Sequence, residues 1–533
     1  MSERKTDKNI KRQTEKKVEA WGFPQIVVGI YVFAVLCILP LVYHNYYFDI
    51  LETKYFFYCG CAIGLLSLFL GYWFFTVRGS EIKRRFQENK ITDLLSVTDM
   101  AMVAFILISI LSTVFSKYRY ESFWGNEGRY TGLFLLLLYT GSYFVVTRYL
   151  IFKKWMLDAF LIAGSLMNLF GITDYFQMNL LGFKDKMSAT QMNIFFSTIG
   201  NINTYTAMIA LVMAVAAVLF AGEKNWRRML SYYVALVISF FAIIMGNSDN
   251  AYLALAALLG LLPLYLFRNR MGVRRYLALT ATFFSVSQVI DWINTKYVDI
   301  VVGIDSVFQI VVGFRYLFQT VIVMWILVAV LYFMDRKATP ETEETKKNRM
   351  NILQIGWLIL ICIVVLGFIY ILYDANATGN AEKYGKLSSY LILNDDWGTH
   401  RGFIWRIGIE NYMQFPFLQK LFGYGPDTFG IITVLNNKAE CVRRYGEIFD
   451  SAHNEYLQYF VTIGSLGLIA YLTLLGSACV RMFKRGWNNP YVIACAAAVI
   501  CYGAQAFVNI NLPIATPVMW VLMMVGLAEC RIK

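Results

Sequence analysis

Along the 533-residue chain, apolar positions neither alternate nor keep to one helical face. They run together in blocks such as Ile352–Tyr373 and Pro513–Gly526, separated by polar stretches. A helix needs about 20 predominantly apolar residues to cross a bilayer core. Blocks near that length recur throughout, and spans are expected at about 24–43, 55–77, 99–116, 131–147, 155–173, 201–221, 230–246, 251–267, 276–290, 314–334, 352–373, 453–480, 490–508 and 514–530. The pattern predicts an all-α polytopic membrane protein with about 14 transmembrane helices.

One polar interval breaks the rhythm. The 79 residues of 374–452 contain Trp397, Phe403, Trp405, Phe415, Phe417, Phe422, Phe429 and Phe449, enough apolar surface to fold. Structureless loops of such length are uncommon unless functional or disordered. This one is expected to form a cap on the membrane surface, with a helix over about 402–413. The chain thus divides into a basic N-terminus at 1–23, eleven helices over 24–373, the loop 374–452, three helices over 453–530 and a short end at 531–533.

Composition supports this division. The chain is 58% hydrophobic and 16% charged, against about 25% charged residues in globular proteins, which excludes an ordinary soluble domain or a disordered chain. A net charge of +13 would suggest nucleic acid in a soluble protein. Its distribution gives a different reason. With the N-terminus cytoplasmic, 32 of the 48 Lys and Arg residues fall in the inner segments, and the balance is +19 inside, −4 outside and −2 within spans. Basic residues concentrate in cytoplasmic loops, so both termini are expected in the cytoplasm, the loop 374–452 outside, and no nucleic-acid partner. The charged stretch Met1–Lys17 lacks a small-residue cleavage site before the first apolar block, which predicts an uncleaved helix. Most of the nine cysteines lie in apolar blocks, with no disulfide framework or metal-ligand spacing.

Candidate chemistry is confined to the expected outer side. His453, in Asp450-Ser451-Ala452-His453-Asn454-Glu455, is expected in the first turn of a long helix capped by Asp450 or Ser451. The helix dipole there disfavours imidazolium, which suits a general base as well as a histidine that merely satisfies a loop hydrogen bond. Arg401, four residues before Trp405, has no local acidic partner, and its planar guanidinium matches phosphate oxygens. Arg406 has Glu410 four residues on, so an ion pair competes with a ligand role. Arg129, in Trp124–Gly132, and Arg315 each lie at the mouth of a span, as ligand groups or interfacial anchors. Gly423–Phe429 reads as a turn, and Gly200–Tyr205 as a helix cap whose amides could also meet sugar hydroxyls.

Taken together, Gly125–Gly132 with Arg129, Gly200–Tyr205, Arg401–Trp405 followed by Leu421–Phe429, and Ser451–Leu457 continuing through Gly464–Gly467 resemble the O-antigen ligase and polymerase family of bacterial membrane glycosyltransferases. The resemblance covers roughly residues 120–480 and is strongest over 398–470. It implies a class C glycosyltransferase-like fold in the cytoplasmic membrane and an inverting, metal-independent transfer at the outer face. The donor would be a polyprenyl-pyrophosphate-linked glycan and the acceptor a glycan or lipid hydroxyl, with no cofactor and with polysaccharide-assembly proteins as further partners. Arg401 would hold the pyrophosphate and His453 would deprotonate or orient the acceptor. Arg129, Arg315, Arg406, Trp405 and Asn454 would support binding. One segment departs from the family pattern: where it often has Ser-Arg-Gly, this chain reads Gly246-Asn247-Ser248-Asp249-Asn250, so either Arg315 or Arg406 would substitute or the donor would be held differently. Polymerase and ligase share donor chemistry and differ in acceptor. A lipid-linked oligosaccharide flippase or transporter is the alternative. Transporters, however, place ionisable residues near the midplane, and the charges within spans here lie near their ends.

Overall fold

The computed structural model describes residues 21–76, 95–337 and 350–531. Most of the expected basic N-terminus and much of the inner segments 78–98 and 335–351 lie outside them. The described chain is helical apart from one ribbon, Phe195–Phe196 paired antiparallel with Gly200–Asn201. We number the longer helices and the short ones at the site: α1 Phe23–Phe33, α2 Ile50–Thr76, α3 Val97–Phe115, α4 Arg119–Trp124, α5 Leu133–Tyr149, α6 Trp155–Tyr175, α7 Ile202–Gly222, α8 Trp226–Met245, α9 Asn250–Leu266, α10 Arg270–Lys296, α11 Leu317–Lys337, α12 Ile352–Asn376, α13 Trp397–Gln414, α14 Phe417–Phe422, α15 Phe429–Tyr445, α16 Glu455–Thr462, α17 Gly464–Gly486, α18 Pro490–Gln505 and α19 Thr516–Glu529.

Ten helices among the described residues are long and apolar enough to cross a membrane, and four shorter apolar ones lie at Phe23–Ile38, Leu133–Tyr149, Asn250–Leu266 and Thr516–Glu529. All fourteen overlap expected spans. The short 276–290 block belongs to the 27-residue α10.

Two of these helices show what holds the bundle together. Every residue of α7 from Thr204 to Ala221 is buried, with α6, α8, α9 and α18 packed around it. Lipid tails are as apolar as side chains, so close packing of small residues does much of the joining. Alanines 207, 210, 214, 216 and 217 on α7 and 494, 496, 497 and 498 on α18 supply it. The opposite case is α12, in which no residue from Ile355 to Tyr373 is buried. Such a surface requires lipid around it, and the chain is an integral membrane protein.

Between α12 and α16, the segment expected as a cap is helical and has its own small core of Phe403, Ile404, Ile407, Tyr412, Phe415, Phe429, Ile432, Cys441, Phe449, Ala452 and Val461. Its expected helix is present as part of α13, whose first residues form a tight irregular turn. Gly398, Thr399 and His400 all have positive φ, at 61°, 59° and 68°. Helix α14 seats the cap on α3 and α17.

The structure departs from expectation at 453–480. Instead of one helix there are two, α16 and α17, broken at Ile463 and Gly464 (φ +74°). In one straight helix, Glu455 and Tyr471 would stand about 24 Å apart. Here the Tyr471 hydroxyl donates to Glu455 at 2.5 Å, so α16 folds back along α17. The reversal is pressed against the cap, and a Cβ on Gly464 would lie 2.2 Å from the Leu421 carbonyl oxygen. The sequence pattern could not reveal this, because both halves are apolar. Gly464→Ala is accordingly expected to remove most folded protein, read as loss of the monodisperse peak in size-exclusion chromatography. Gly476→Ala, at an open position in α17, is expected to leave it intact.

Candidate active site

The reversal sets the position of the segment before α16. Asn454, not Asp450 or Ser451, caps α16, its side-chain oxygen accepting from the backbone N–H groups of Tyr456 and Leu457 at 3.0 Å each. His453 therefore stands one residue before the cap, with φ +46°, and not in the first turn as expected. Its neighbour Ala452 is clamped from both sides. The Ala452 N–H donates to Gln458 Oε1 at 2.9 Å, and its carbonyl accepts from Trp405 Nε1 at 3.0 Å. The imidazole is half-buried, and its ring makes none of the hydrogen bonds among the described residues.

Arg401 begins the regular part of α13. Its Nε donates to the Val508 carbonyl at 3.1 Å and one terminal nitrogen to the Gly398 carbonyl at 2.5 Å. Neither acceptor is charged, and among the described residues no carboxylate hydrogen-bonds to it. Trp405, one turn on, packs edge-on against Phe507, next to Val508. One face of α13 thus presents a guanidinium and an indole to both the 507–508 segment and Ala452. A side chain at Gly402 could not fit, since its Cβ would lie 1.8 Å from the Asn394 carbonyl oxygen.

Arg129 reaches the same place from 300 residues away. Its guanidinium grips Asp450 in a bidentate pair, at 2.9 and 2.8 Å. The loop carrying it is pinched where Gly125 and Gly132 meet: a Cβ on Gly132 would lie 2.3 Å from the Gly125 nitrogen. Asp427 fixes that loop to the cap, accepting from the N–H groups of Asn126 at 2.7 Å and Thr131 at 3.1 Å. Tyr130 takes the anchor role instead, stacking on Tyr55 at 4.7 Å and donating to Glu52.

These contacts set the electrostatics. Burial pushes His453 down to about 4, helped by the charges of Arg401 and Arg129 and opposed by Asp450. The imidazole is therefore held neutral by desolvation and neighbouring cations. Burial also lowers Arg401, although a guanidinium stays charged. The field of Asp249 partly offsets this, so the acid in place of the family's basic residue is a charge neighbour of Arg401. Burial works against Asp450, but its bond to Arg129 holds it below the ordinary range. Burial pushes Asp427 up to about 6 despite its two amide donors.

Of the residues expected at the site, the structure gathers Arg129, Arg401, Trp405, His453 and Asn454. Arg406 is committed elsewhere, to Asp395, Glu410 and Glu440 at 3.0–3.1 Å. Arg315 is exposed, its guanidinium 5.6 Å from the Tyr316 ring centroid, and makes no contact with the cluster. The sequence reading missed Asp427 as a staple and Asp450 as a partner, because both contacts cross some 300 residues. It also missed a buried amide network below the cluster: Asn250 donates to the Asn203 carbonyl and to Gln505, and Asn509 to the same two residues. The Gly200–Tyr205 segment does act as a cap, Asn201 accepting from Asn203 N–H. A cavity of about 20 Å³ adjoins the cluster beside Arg129, Asp427 and Asn511. It has room for about one water.

A family model described as O-Antigen ligase matches residues 234–472, a range that contains Arg315, Arg401, Arg406 and His453 and omits Arg129. No curated protein matches the chain.

The Asp427 staple can be tested by itself. A carboxyl whose folded value is about 6, against about 3.9 unfolded, binds protons more readily in the folded state, so stability falls as pH rises through that interval. Asp427→Asn is expected to unfold at or above the wild-type temperature at pH 7, the difference closing near pH 4. Asp427→Ala is expected to lose roughly 1–3 kcal/mol for each amide left unpaired. Tryptophan fluorescence during heating in detergent reads both.

Proposed function

We propose, for a chain that carries the O-antigen ligase domain over residues 234–472 and is a membrane glycan-processing protein of that family, that it is a glycosyltransferase of lipid-linked glycans. It moves an oligo- or polysaccharide from polyprenyl pyrophosphate to an acceptor hydroxyl at the outer face of the cytoplasmic membrane. The observation that carries the reading is a histidine kept unprotonated between two arginines.

The chemistry divides between these groups. The acceptor oxygen attacks the anomeric carbon from the face opposite the leaving group, the glycosyl–phosphate bond breaks, and configuration inverts. His453 takes the acceptor proton. Its low basicity keeps it available as a base at neutral pH, where a solvent-exposed histidine of pKa about 6.5 would be partly blocked. Arg401, bonded only to carbonyl oxygens, keeps its charge for the developing pyrophosphate anion. Fixed guanidinium groups stabilise such charge without reorganisation and without a divalent ion. Arg129 acts through Asp450 as a positioning residue, and Trp405 offers an apolar face to a sugar ring.

The assay is purified protein with a defined polyprenyl-pyrophosphate oligosaccharide in EDTA, following released polyprenyl pyrophosphate and glycan gained by the acceptor. His453→Ala and Arg401→Ala are each expected to lower kcat about 10²–10⁴-fold. Full activity in both variants, or a strict requirement for a divalent cation, would refute the reading. In the wild type, kcat/KM is expected to fall off only toward pH 4, where His453 protonates. In Arg129→Gln the acid limb is expected to move toward the ordinary histidine value, because a cation near His453 is lost. An unchanged profile would mean that Arg129 has no electrostatic hold on His453.

A further inference from the structure

The ends of α3, α5, α17 and α19 remote from His453 enclose a second feature that the glycan chemistry does not use. These four helices pack in a closed ring, α3 on α5, α5 on α19, α19 on α17 and α17 on α3. At that end the ring leaves a cavity of about 270 Å³ lined by Leu95, Ser96, Asp99, Tyr143, Thr147, Arg148, Arg481, Arg485, Leu527 and Arg531. Four guanidinium groups from three chain segments converge on it, and its described lining contains one carboxylate.

That carboxylate is already engaged. Asp99 accepts from Arg148 at 3.0 Å and from the Tyr143 hydroxyl at 2.8 Å, and it completes a capping box with Ser96. Arg481 donates one terminal nitrogen to Ser96 Oγ at 2.8 Å, while its Nε is buried and among the described residues has no hydrogen-bond partner. Arg485 is exposed, and among the described residues it makes no hydrogen bond or ion pair. Arg531 feels the like charges of Arg148 and Arg481. Basic residues at helix ends need only reach the interface to satisfy the positive-inside bias. Convergence on one partly open cavity brings repulsion among the four charges and desolvation of the half-buried Arg148 and Arg481, with three charges left uncompensated in the described lining.

We propose that this cavity binds a single phosphate group, clasped by Arg148, Arg481, Arg485 and Arg531. A diester or dianionic phosphate offsets one or two of these charges, accepts bidentate bonds from planar guanidinium forks, and gives the Arg481 Nε an acceptor. The shared chemistry is the phosphate oxyanion, whether free or in the headgroup of an anionic phospholipid, and basic pockets between membrane helices hold such headgroups. Occupancy would join four helices whose opposite ends carry or adjoin Ser112, Arg129, Gly464 and Thr516. The proposal does not depend on the transferase reading.

The full-length protein in neutral detergent tests it at constant ionic strength, with two probes: radiolabelled inorganic phosphate in equilibrium dialysis, and phosphatidylglycerol against phosphatidylcholine in mixed micelles scored by retained lipid. Saturable binding of phosphate alone identifies the free ion, and selective retention of phosphatidylglycerol identifies a lipid headgroup. Either supports the proposal. Arg481→Gln and Arg531→Gln are each expected to weaken the bound probe about tenfold to hundredfold, the loss from removing one charge-assisted hydrogen bond. Arg485→Gln, exposed and without bonds to lose, is expected to weaken binding without altering folding. Arg227→Gln, on an exposed helix start elsewhere, is expected to bind as the wild type does. The proposal is overturned if the wild type binds neither probe, if the three cavity variants bind as the wild type does, or if Arg227→Gln weakens binding equally.

Discussion

The reversal at Ile463 and Gly464 is the constraint on which the candidate site depends. Because Gly464 lies flush against Leu421 and Gly423, the cap and the bundle meet backbone to backbone. Because the chain turns there, α16 runs back along α17, and Glu455 reaches the hydroxyls of Tyr471 and Tyr502. His453, two residues earlier, is carried to the same level, where segment 507–508 supplies the floor and α13 the facing wall. A straight helix would have lifted the histidine clear of the membrane helices and given it ordinary water.

The electrostatics follow from that placement. Two arginines approach His453 under different terms: Arg129 is neutralised by Asp450 in a bidentate pair, while Arg401 rests on carbonyl dipoles with Asp249 as its acidic neighbour. The unequal pairing separates their roles. A guanidinium already locked to a carboxylate shapes the site, and one held only by neutral oxygens can still meet an anion. The acid at 249 therefore adjusts the charge balance around Arg401.

The sequence made the helices legible because a bilayer imposes an apolar length that few other structures require, and α12 and α18 could be placed from composition alone. It also singled out Arg401 by a local test, the lack of an acid one turn away, which holds in three dimensions as far as hydrogen-bonded carboxylates are concerned. Such a test reaches only one helical turn, and the acid that pairs with Arg129 lies 321 residues downstream. Asp427 was equally invisible, since its partners are backbone amides that carry no sequence signature. The break in 453–480 escaped because Gly464 inside an apolar run reads as a tolerated helix residue, and only the Leu421 carbonyl shows why nothing larger fits.

The contrast between α7 and α12 sets two different rules for one kind of sequence. In α7 every direction meets protein, so each side chain must match a particular volume, and even leucine for alanine would collide with a neighbour in a close-packed interior. In α12 the outward directions meet fluid lipid, which conforms to any shape, so only polarity is restricted. Two helices that both read as apolar spans therefore differ in what their residues specify: α7 stores the geometry of the bundle, and α12 stores little more than a depth.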